Sequence, residues 1–434
     1  MNTTSLFDLH LQSTGASIDS RTIRPGQIFF GLSGENSDGS QYAEKALEGG
    51  ALAVVLRHDV VQKKDDHRYW YVKNVLATMQ ELAKEYRRWL DCTVMAITGS
   101  NGKTTNKNLL NAALSTRYRI HSTAGNFNNH IGLPLTILNA PSDTDFLLLE
   151  MGTNHFGEIR DLCRIAEPDY GSIINVGKSH LEFLESVEGV LRAKSELADS
   201  LVERGGQLFL NKEEPSLQAL LDHPVQKIMF DREALPRSDF RMKVHRSSPD
   251  IELELYSVLG GKRYRLTSPL WGEHNVRNLL HTLAVGTYFE AGMEQMVEVL
   301  SRYEPADNRS QIISWKGHRV FLDAYNANPT SMAQAIRSFR AANPNQGVLI
   351  LGEMGELGEV AGPEHESILR LVEELGFDQV YLVGTEFKRV GEERFSDFRY
   401  VSDVMDLETE TWPSGSPILL KGSRFMALER LIRG

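Results

Sequence analysis

The chain has 434 residues, of which 41% are hydrophobic, 8% aromatic and 24% charged, with a formal net charge of −11 at pH 7. That is too long for one ordinary domain, and the composition is that of a globular protein able to bury several cores. The acidic balance argues against an open nucleic-acid groove lined by Lys and Arg, though one phosphate site needs only a few donors.

The opening stretch, residues 1–15, has no basic segment followed by an apolar one, and the longest apolar runs, such as 51–56 and 347–351, fall far short of a bilayer span. Neither a secretory signal nor membrane insertion is expected. Two isolated cysteines, Cys92 and Cys163, suit a reducing compartment, so a cytoplasmic protein is expected.

Along the chain the texture changes twice, giving an α/β protein with three expected domains at 1–88, 89–304 and 305–434. In the first, short strand-like runs at 27–32, 51–56 and 69–72 are separated by Gly and Asp turns, and a helical pattern over 77–89 leads onward. The second opens with an apolar run at 94–98, a glycine-rich turn and a helix over 104–114. Buried strands follow at 146–149, 172–176 and 207–210, with a helix over 187–202. This alternation predicts a mainly parallel sheet with helices on both faces. Between 240 and 270 the period falls to two around Gly260-Gly261, which predicts a hairpin adding antiparallel strands to that sheet. The third stretch alternates again, with strands at 320–323, 347–351, 379–383 and 418–420, helices between them and a closing helix. That pattern is Rossmann-like.

The strongest motif is Thr98-Gly99-Ser100-Asn101-Gly102-Lys103-Thr104-Thr105, between a strand and a helix. Glycines let successive N–H groups turn toward phosphate oxygens, and the helix N-terminus adds partial positive charge. Lys103 is placed to reach the β- and γ-phosphates and the Thr104 hydroxyl to hold Mg²⁺. Ile97 stands where a Walker loop has its first glycine, so the turn reads G-x-x-G-K-T. ATP or GTP binding follows.

Glu150 ends the run 146–149, and His180 follows the next strand in Asn175-Val176-Gly177-Lys178-Ser179-His180. Ligands of open α/β sheets gather at the carboxyl ends of strands, which brings both to the phosphate turn. Lys194, in a helical Ala193-Lys194-Ser195-Glu196, gains interest only from that company.

Taken together these marks resemble the Mur ligases, ATP-dependent amide-forming enzymes of peptidoglycan synthesis, along essentially the whole chain. The resemblance rests also on Gly125-Asn126-Phe127-Asn128-Asn129 with Gly132-Leu133-Pro134, and on Gly272-Glu273-His274-Asn275 with Asn278. In the third stretch, Asp323-Ala324-Tyr325-Asn326-Ala327-Asn328-Pro329, Gly352-Glu353-Met354-Gly355-Glu356-Leu357-Gly358 and Lys421-Gly422-Ser423-Arg424 resemble the members that take D-alanyl-D-alanine.

The resemblance implies ATP, two Mg²⁺ ions and a carbamylated Lys194 as cofactors. It implies UDP-N-acetylmuramoyl-tripeptide and D-alanyl-D-alanine as substrates, and a monomer. It assigns the metals to Thr104, Glu150, His180 and Lys194, and the nucleotide to Gly99, Ser100, Asn101, Gly102, Lys103, Thr104, Thr105, Asn275, Asn278, Arg309 and Asp323. The UDP-linked substrate falls to Ser20, Arg21, Asn126, Asn128 and Asn129. Asn326, Asn328, Lys421, Ser423 and Arg424 are dipeptide candidates, although Asn326 and Asn328 could equally shape the turn before a helix starting near Pro329. A sister ligase adding the third amino acid, a folylpolyglutamate-type ligase and a nucleotide switch remain as alternatives.

Overall fold

The computed structural model of the chain describes residues 5–34, 37–60, 64–344 and 347–433. The outermost residues of the first and last expected domains, 1–4 and 434, lie outside these. Three sheets that carry helices organise the described residues.

The first sheet is parallel, in the order Ala16–Ser17, Ile28–Phe30, Ala53–Arg57, Tyr69–Val72. Alternation along Ile28–Phe30 sends Phe29 to a small core with Val54 and Ala46, while Ile28 and Phe30 face the large core shared with the rest of the molecule. Helix Val75–Trp89 starts where the Asn74 side chain accepts from Ala77 N–H at 3.0 Å. It joins the first two units. Tyr86 OH donates to Ala140 O at 2.8 Å, and the buried Arg87 guanidinium reaches Ala166 O at 2.8 Å and Glu167 O at 2.7 Å. Those carbonyls belong to the C-terminal end of helix Glu158–Ala166, where a cation offsets the dipole.

The middle sheet has six parallel strands in the order Gln226–Phe230, Gln207–Asn211, Tyr170–Ile173, Thr93–Thr98, Phe146–Glu150, Ile120–Ser122. Both faces are covered. Val94, Ala96, Leu147 and Leu149 point to one core, and Met95, Ile97, Phe146 and Leu148 to the other. Near-continuous apolar strands are what burial on both faces requires. Because Thr93–Thr98 lies between Phe146–Glu150 and Tyr170–Ile173, the strand order reverses there and a crevice opens at the carboxyl ends.

The hairpin expectation needs correction. Phe240–Arg246, Ile251–Ser257 and Arg263–Ser268 form an antiparallel sheet of their own and do not extend the parallel one. Ile251, Leu253, Leu255 and Leu266 are fully buried in the same core as helix Glu273–Tyr288, so this sheet lies face-on against helices where edge pairing was expected. Its turn does fall at Gly260-Gly261, with Gly261 at φ +65°.

The third sheet runs Gln311–Trp315, His318–Asp323, Ile418–Lys421, Val348–Gly352, Gln379–Val383, Arg399–Val401. All its pairings are parallel except the first, which is a hairpin through Lys316-Gly317. Asp323 and Lys421, the last residues of strands His318–Asp323 and Ile418–Lys421, line the same cavity as residues 100–105, so this sheet's carboxyl edge meets the middle crevice.

Three histidines, His10 and His281 buried and His274 half-buried, lose solvation in the fold, which pushes His10 down to about 4, His274 to about 4 and His281 to about 3. Below the unfolded value of 6.5 the unfolded chain binds protons that the folded chain refuses. Stability therefore falls as pH drops from 6.5 toward 4, by up to about 1.4 kcal/mol per pH unit for each such histidine. Urea midpoints measured at pH 7 and pH 5 should differ accordingly, and His281→Gln should flatten the slope.

Candidate active site

Neighbouring segments brace the phosphate turn. Gly102 takes φ +78° at the N-cap of helix Lys103–Leu114, and a Cβ there would meet the Asn278 amide at 3.0 Å. Both the backbone and the space require glycine. Ser100 Oγ accepts from Gly177 N–H at 3.0 Å, while Asn101 N–H donates to Asn175 Oδ1 at 2.9 Å. These bonds explain why the strand expected to run to 176 stops at Ile173: the chain leaves the sheet to brace the turn. Lys103 Nζ donates to Gly99 O at 2.7 Å. Burial lowers its pKa, with Glu150 opposing and Arg309 reinforcing the shift.

A cavity of about 390 Å³ opens over this turn. Its wall includes Ser100 to Thr105, Glu150, Asn126, Asn128, Asn129 and His180 from the middle unit, and Arg309, Asp323, Asn326, Asn328 and Lys421 from the third. The expected phosphate and metal residues, Gly99 and Lys194 excepted, thus share one space with Arg309, Asp323, Asn326, Asn328 and Lys421 of the third unit.

Glu150 is 2% exposed. Asn128 Nδ2 donates to its Oε1 at 2.8 Å, and its own N–H donates to Thr123 Oγ1 at 2.9 Å. Oε2 has no hydrogen-bond partner. A buried carboxylate oxygen left bare is costly unless something positive meets it. Lys107, which sequence reasoning passed over, donates from Nζ to Thr123 O at 2.5 Å from behind. Burial lowers its pKa as well, against the attraction of Glu150.

Lys194 is 1% exposed in helix Val187–Arg204 and forms no ion pair among the described residues. Burial drives its pKa well below the ordinary lysine value, and the Lys103 ammonium adds to the shift. Two residues on, Glu196 accepts from Gly157 N–H at 2.6 Å and Arg160 N–H at 3.0 Å, capping helix Glu158–Ala166. That carboxylate is therefore engaged elsewhere, and Lys194 stands alone.

His180 has φ +53°, and its Nδ1 is 2.7 Å from Glu356 Oε2 of the third unit. The contact lies outside hydrogen-bond geometry, since Nδ1 lacks a hydrogen-bond partner. His180 holds the Glu356 carboxyl below its usual range. Glu356 was recognised only as part of a motif; its partner lies 176 positions earlier in the chain and leaves no local signal. Among the described residues no three His, Cys, Asp or Glu side chains converge as a cation cage. The expected metal set of one carboxylate, one imidazole, one hydroxyl and one lysine is not of that kind.

Asn275 and Asn278 are buried in a run of amides. Asn278 Nδ2 donates to Asn275 Oδ1 at 2.9 Å, and Asn275 Nδ2 reaches Trp271 O at 2.9 Å and Ser310 Oγ at 3.0 Å. The run ties helix Glu273–Tyr288 to the start of the third unit. There the Arg309 guanidinium lies 3.6 Å from the Tyr325 ring centroid with Nε unpaired.

The dipeptide candidates divide. Lys421, 1% exposed, donates from Nζ to Asp323 Oδ2 at 2.6 Å and to Asn326 O at 3.3 Å. Burial alone would raise the Asp323 pKa; the Lys421 ammonium outweighs it and the net shift is downward. Asn326 Oδ1 accepts from Ala327 N–H at 2.9 Å and shapes the turn. Ser423 Oγ bonds Gly355 N–H and Ala327 O, and Arg424 pairs with Glu429; neither is on the cavity wall. Ser20 is buried, and Arg21 is exposed and paired with Asp19 at 2.7 Å; both are off the wall too. Lys421→Met, which leaves Asp323 without its counter-charge, is expected to lower stability by about 3 kcal/mol in urea unfolding. Adding Asp323→Asn should recover part of it.

A phosphate-binding turn at the switch point of a parallel sheet, closed over by a Rossmann-like unit, defines a P-loop nucleotide-dependent enzyme. The sequence matches the Mur ligase middle domain over residues 97–286, the Mur ligase glutamate ligase domain over 308–423 and the Mur ligase family catalytic domain over 12–88. The chain belongs to the Mur ligase family. It is 34% identical over 429 residues to the UDP-N-acetylmuramoyl-tripeptide--D-alanyl-D-alanine ligase of Bacillus subtilis (strain 168), covering 96% of this chain and 92% of that one. Identity to the Escherichia coli (strain K12) ligase of the same name is 30% over 424 residues, with 96% and 92% covered. The solved MurF ligase from Thermotoga maritima in complex with ADP aligns with a TM-score of 0.82 at 26% identity, covering 98% of this chain and 97% of that one.

Proposed function

We propose that this chain is an ATP-dependent ligase that joins D-alanyl-D-alanine to UDP-N-acetylmuramoyl-tripeptide in peptidoglycan precursor synthesis, acting in the cytoplasm. What carries the reading is one cavity, where the phosphate turn, Glu150 and the third unit's Arg309 and Asp323 meet, in a chain similar along nearly its full length to ligases of that name. No helix among the described residues is long and apolar enough to cross a membrane.

A carboxylate is a poor electrophile and must be activated. The tripeptide's terminal carboxylate oxygen attacks the γ-phosphorus, ADP leaves, and an acyl phosphate forms. The dipeptide amine then attacks the acyl carbon, loses a proton, and phosphate departs. Lys103 and the loop N–H groups offset charge on the transferring phosphoryl group. Arg309, with its unpaired Nε, is the third unit's cationic contact to the nucleotide, and Asp323 suits the ribose. Asn126, Asn128 and Asn129, on the cavity wall, are assigned to the UDP-linked substrate, with Ser20 and Arg21, off that wall, assigned to its UDP end.

The donors suit Mg²⁺, which favours oxygen ligands: Glu150 Oε2 is unpaired, and the Thr104 hydroxyl lines the same cavity. Bound there with His180 beside them, two ions would neutralise phosphate charge. Lys194 fits a carbamate, because carbamylation needs a neutral amine, and burial favours that form. Addition of CO₂ to that nitrogen with loss of a proton would turn the neutral amine into an anionic oxygen ligand.

The test is mass spectrometry of products from UDP-N-acetylmuramoyl-tripeptide, ATP and D-alanyl-D-alanine. A mass gain of one dipeptide less one water, with stoichiometric phosphate, is expected. Phosphate release without amide would favour a nucleotide switch, and product only with a single diamino acid and the muramoyl dipeptide would favour the sister ligase.

A further inference from the structure

A second cavity, of about 240 Å³, opens where the first unit meets the middle one, and it shares no lining residue with the cavity over the phosphate turn. Helix Val75–Trp89 supplies its aromatic side. Tyr86 and Trp89 stack there with ring centroids 5.5 Å apart and planes 16° apart, and Trp89 is 46% exposed. His10, 3% exposed, stands edge-on to Tyr86 at 4.5 Å. The middle unit contributes the last residue of helix Gly132–Leu138 and the turn after it, which Asn139 ties to Ala16 through both of its side-chain polar atoms.

The polar groups of this cavity are almost all of one kind. Its loop N–H groups are engaged within the fold: Ser13 on His10 O, Thr14 on Gly26 O, Gly15 on Ser13 Oγ, Asn139 on Leu135 O and Ala140 on Ile137 O. So are the side-chain donors, with Tyr86 OH on Ala140 O, Thr14 Oγ1 on Pro25 O, and Asn139 Nδ2 on Ala16 O and Leu135 O. Among the lining residues only Trp89 and Ser142, both exposed, have a donor left. Acceptors, by contrast, remain. The Ser13 hydroxyl gives its proton to His10 O at 2.8 Å, so its 3.2 Å contact with His10 Nδ1 puts the imidazole proton on Nδ1. Nε2 then presents a lone pair that no donor meets among the described residues, and burial keeps the ring neutral. The carbonyls of Leu11, Ser13 and Leu138 likewise accept no hydrogen bond among the described residues.

We propose that this seam is a second ligand site, made for a primary ammonium carried on a compact apolar body. Its N–H groups meet His10 Nε2 and the open carbonyls, while the charge and the apolar body lie against the Trp89 ring. An anion meets acceptors alone and is rejected. With no acidic side chain on the wall, binding is modest, with a Kd on the order of 1 mM. Because the wall comes from both units, an occupied site braces their seam.

Saturation-transfer nuclear magnetic resonance of the full chain with phenethylamine as probe tests the site. Phenethylamine is expected to bind, 2-phenylethanol (same body, no charge) at least about fivefold more weakly, and phenylacetate not at all. Trp89→Ala and His10→Phe should each weaken phenethylamine about fivefold, the loss of one such contact. Trp89 is exposed, so its variant keeps the test decisive even if the buried His10→Phe fails to fold. Saturating D-alanyl-D-alanine with a non-hydrolysable ATP analogue should leave the affinity unchanged, which separates this site from an amine seated over the phosphate turn. No phenethylamine binding, unchanged affinity in Trp89→Ala or in folded His10→Phe, displacement by the dipeptide and nucleotide, or equal binding of phenylacetate each overturns the proposal.

Discussion

Lys194→Met is expected to cut ligation at least about a thousandfold, the order lost when a preorganised electrostatic contact is removed from an active site. Added bicarbonate should not restore it, because methionine has no nitrogen to carry a carbamate. The same variant should be more stable than wild type in CO₂-free buffer at neutral pH. Lys194 is 1% exposed, without an ion-pair partner among the described residues, and its pKa lies well below the ordinary value of 10.5. Between that depressed value and 10.5 the unfolded chain holds a proton that the folded chain has shed, so wild-type stability climbs with pH. The methionine variant lacks both the penalty and the climb, and its advantage should fade toward pH 10. Urea unfolding at pH 7 and pH 9.5, with a phosphate-release assay, reads both effects. Near-normal turnover would remove the carbamate from the reaction, and a less stable variant would mean that a further contact offsets the burial of Lys194.

How far the sequence could be read depended on how local each signal is. The phosphate turn was legible because its strand, glycines, lysine and helix are contiguous, and the structure moves its helix start by only one residue, to Lys103. The parallel alternation of the middle and third sheets was legible for the same reason. Short edge strands were not: Ile120–Ser122 and Arg399–Val401 have three residues each, too few for a period to register. Gln311–Trp315 was missed although its two-residue turn, Lys316-Gly317, takes φ +47° and +81°, and Gly317 was the available local signal for that hairpin. The separate antiparallel sheet shows the limit of periodicity. Alternation told which side chains of Ile251–Ser257 are buried, but not whether the face meets helices or the strand meets an edge.

The site was legible as a set of residues more than as a set of roles. Asn328 was flagged for the dipeptide, and its amide is bonded to the phosphate turn 227 positions away. Lys421 was flagged likewise, and its ammonium is held by Asp323. Lys107 follows Lys103 by one helical turn, a spacing that could have drawn attention, but only the tertiary fold puts Thr123 between it and Glu150. Roles of this kind arise where strands distant in sequence end side by side, and no window of residues contains them.

Glu150→Gln is expected to lower kcat by about 10²- to 10³-fold while leaving the fold intact. The side chain keeps its shape, and the Asn128 amide can still donate to its oxygen, so circular dichroism and Tm should change little. What is lost is the charge at Oε2, the bare buried oxygen facing the cavity. Two consequences separate a metal ligand from a mere counter-charge. If Oε2 meets a divalent ion, Mn²⁺ binding followed by electron paramagnetic resonance with ADP present should weaken at least about tenfold, and raising Mg²⁺ should recover part of the rate. If Glu150 serves only to hold Lys103 and Lys107 protonated, as its attraction for both allows, Mn²⁺ affinity will be unchanged and the variant will lose nucleotide affinity as pH rises. Lys103 loses its main opposing influence in the variant, so its pKa should fall further and its proton leave at lower pH than in wild type. The Mn²⁺ result decides between the two, and an unchanged affinity would take Glu150 out of the metal site.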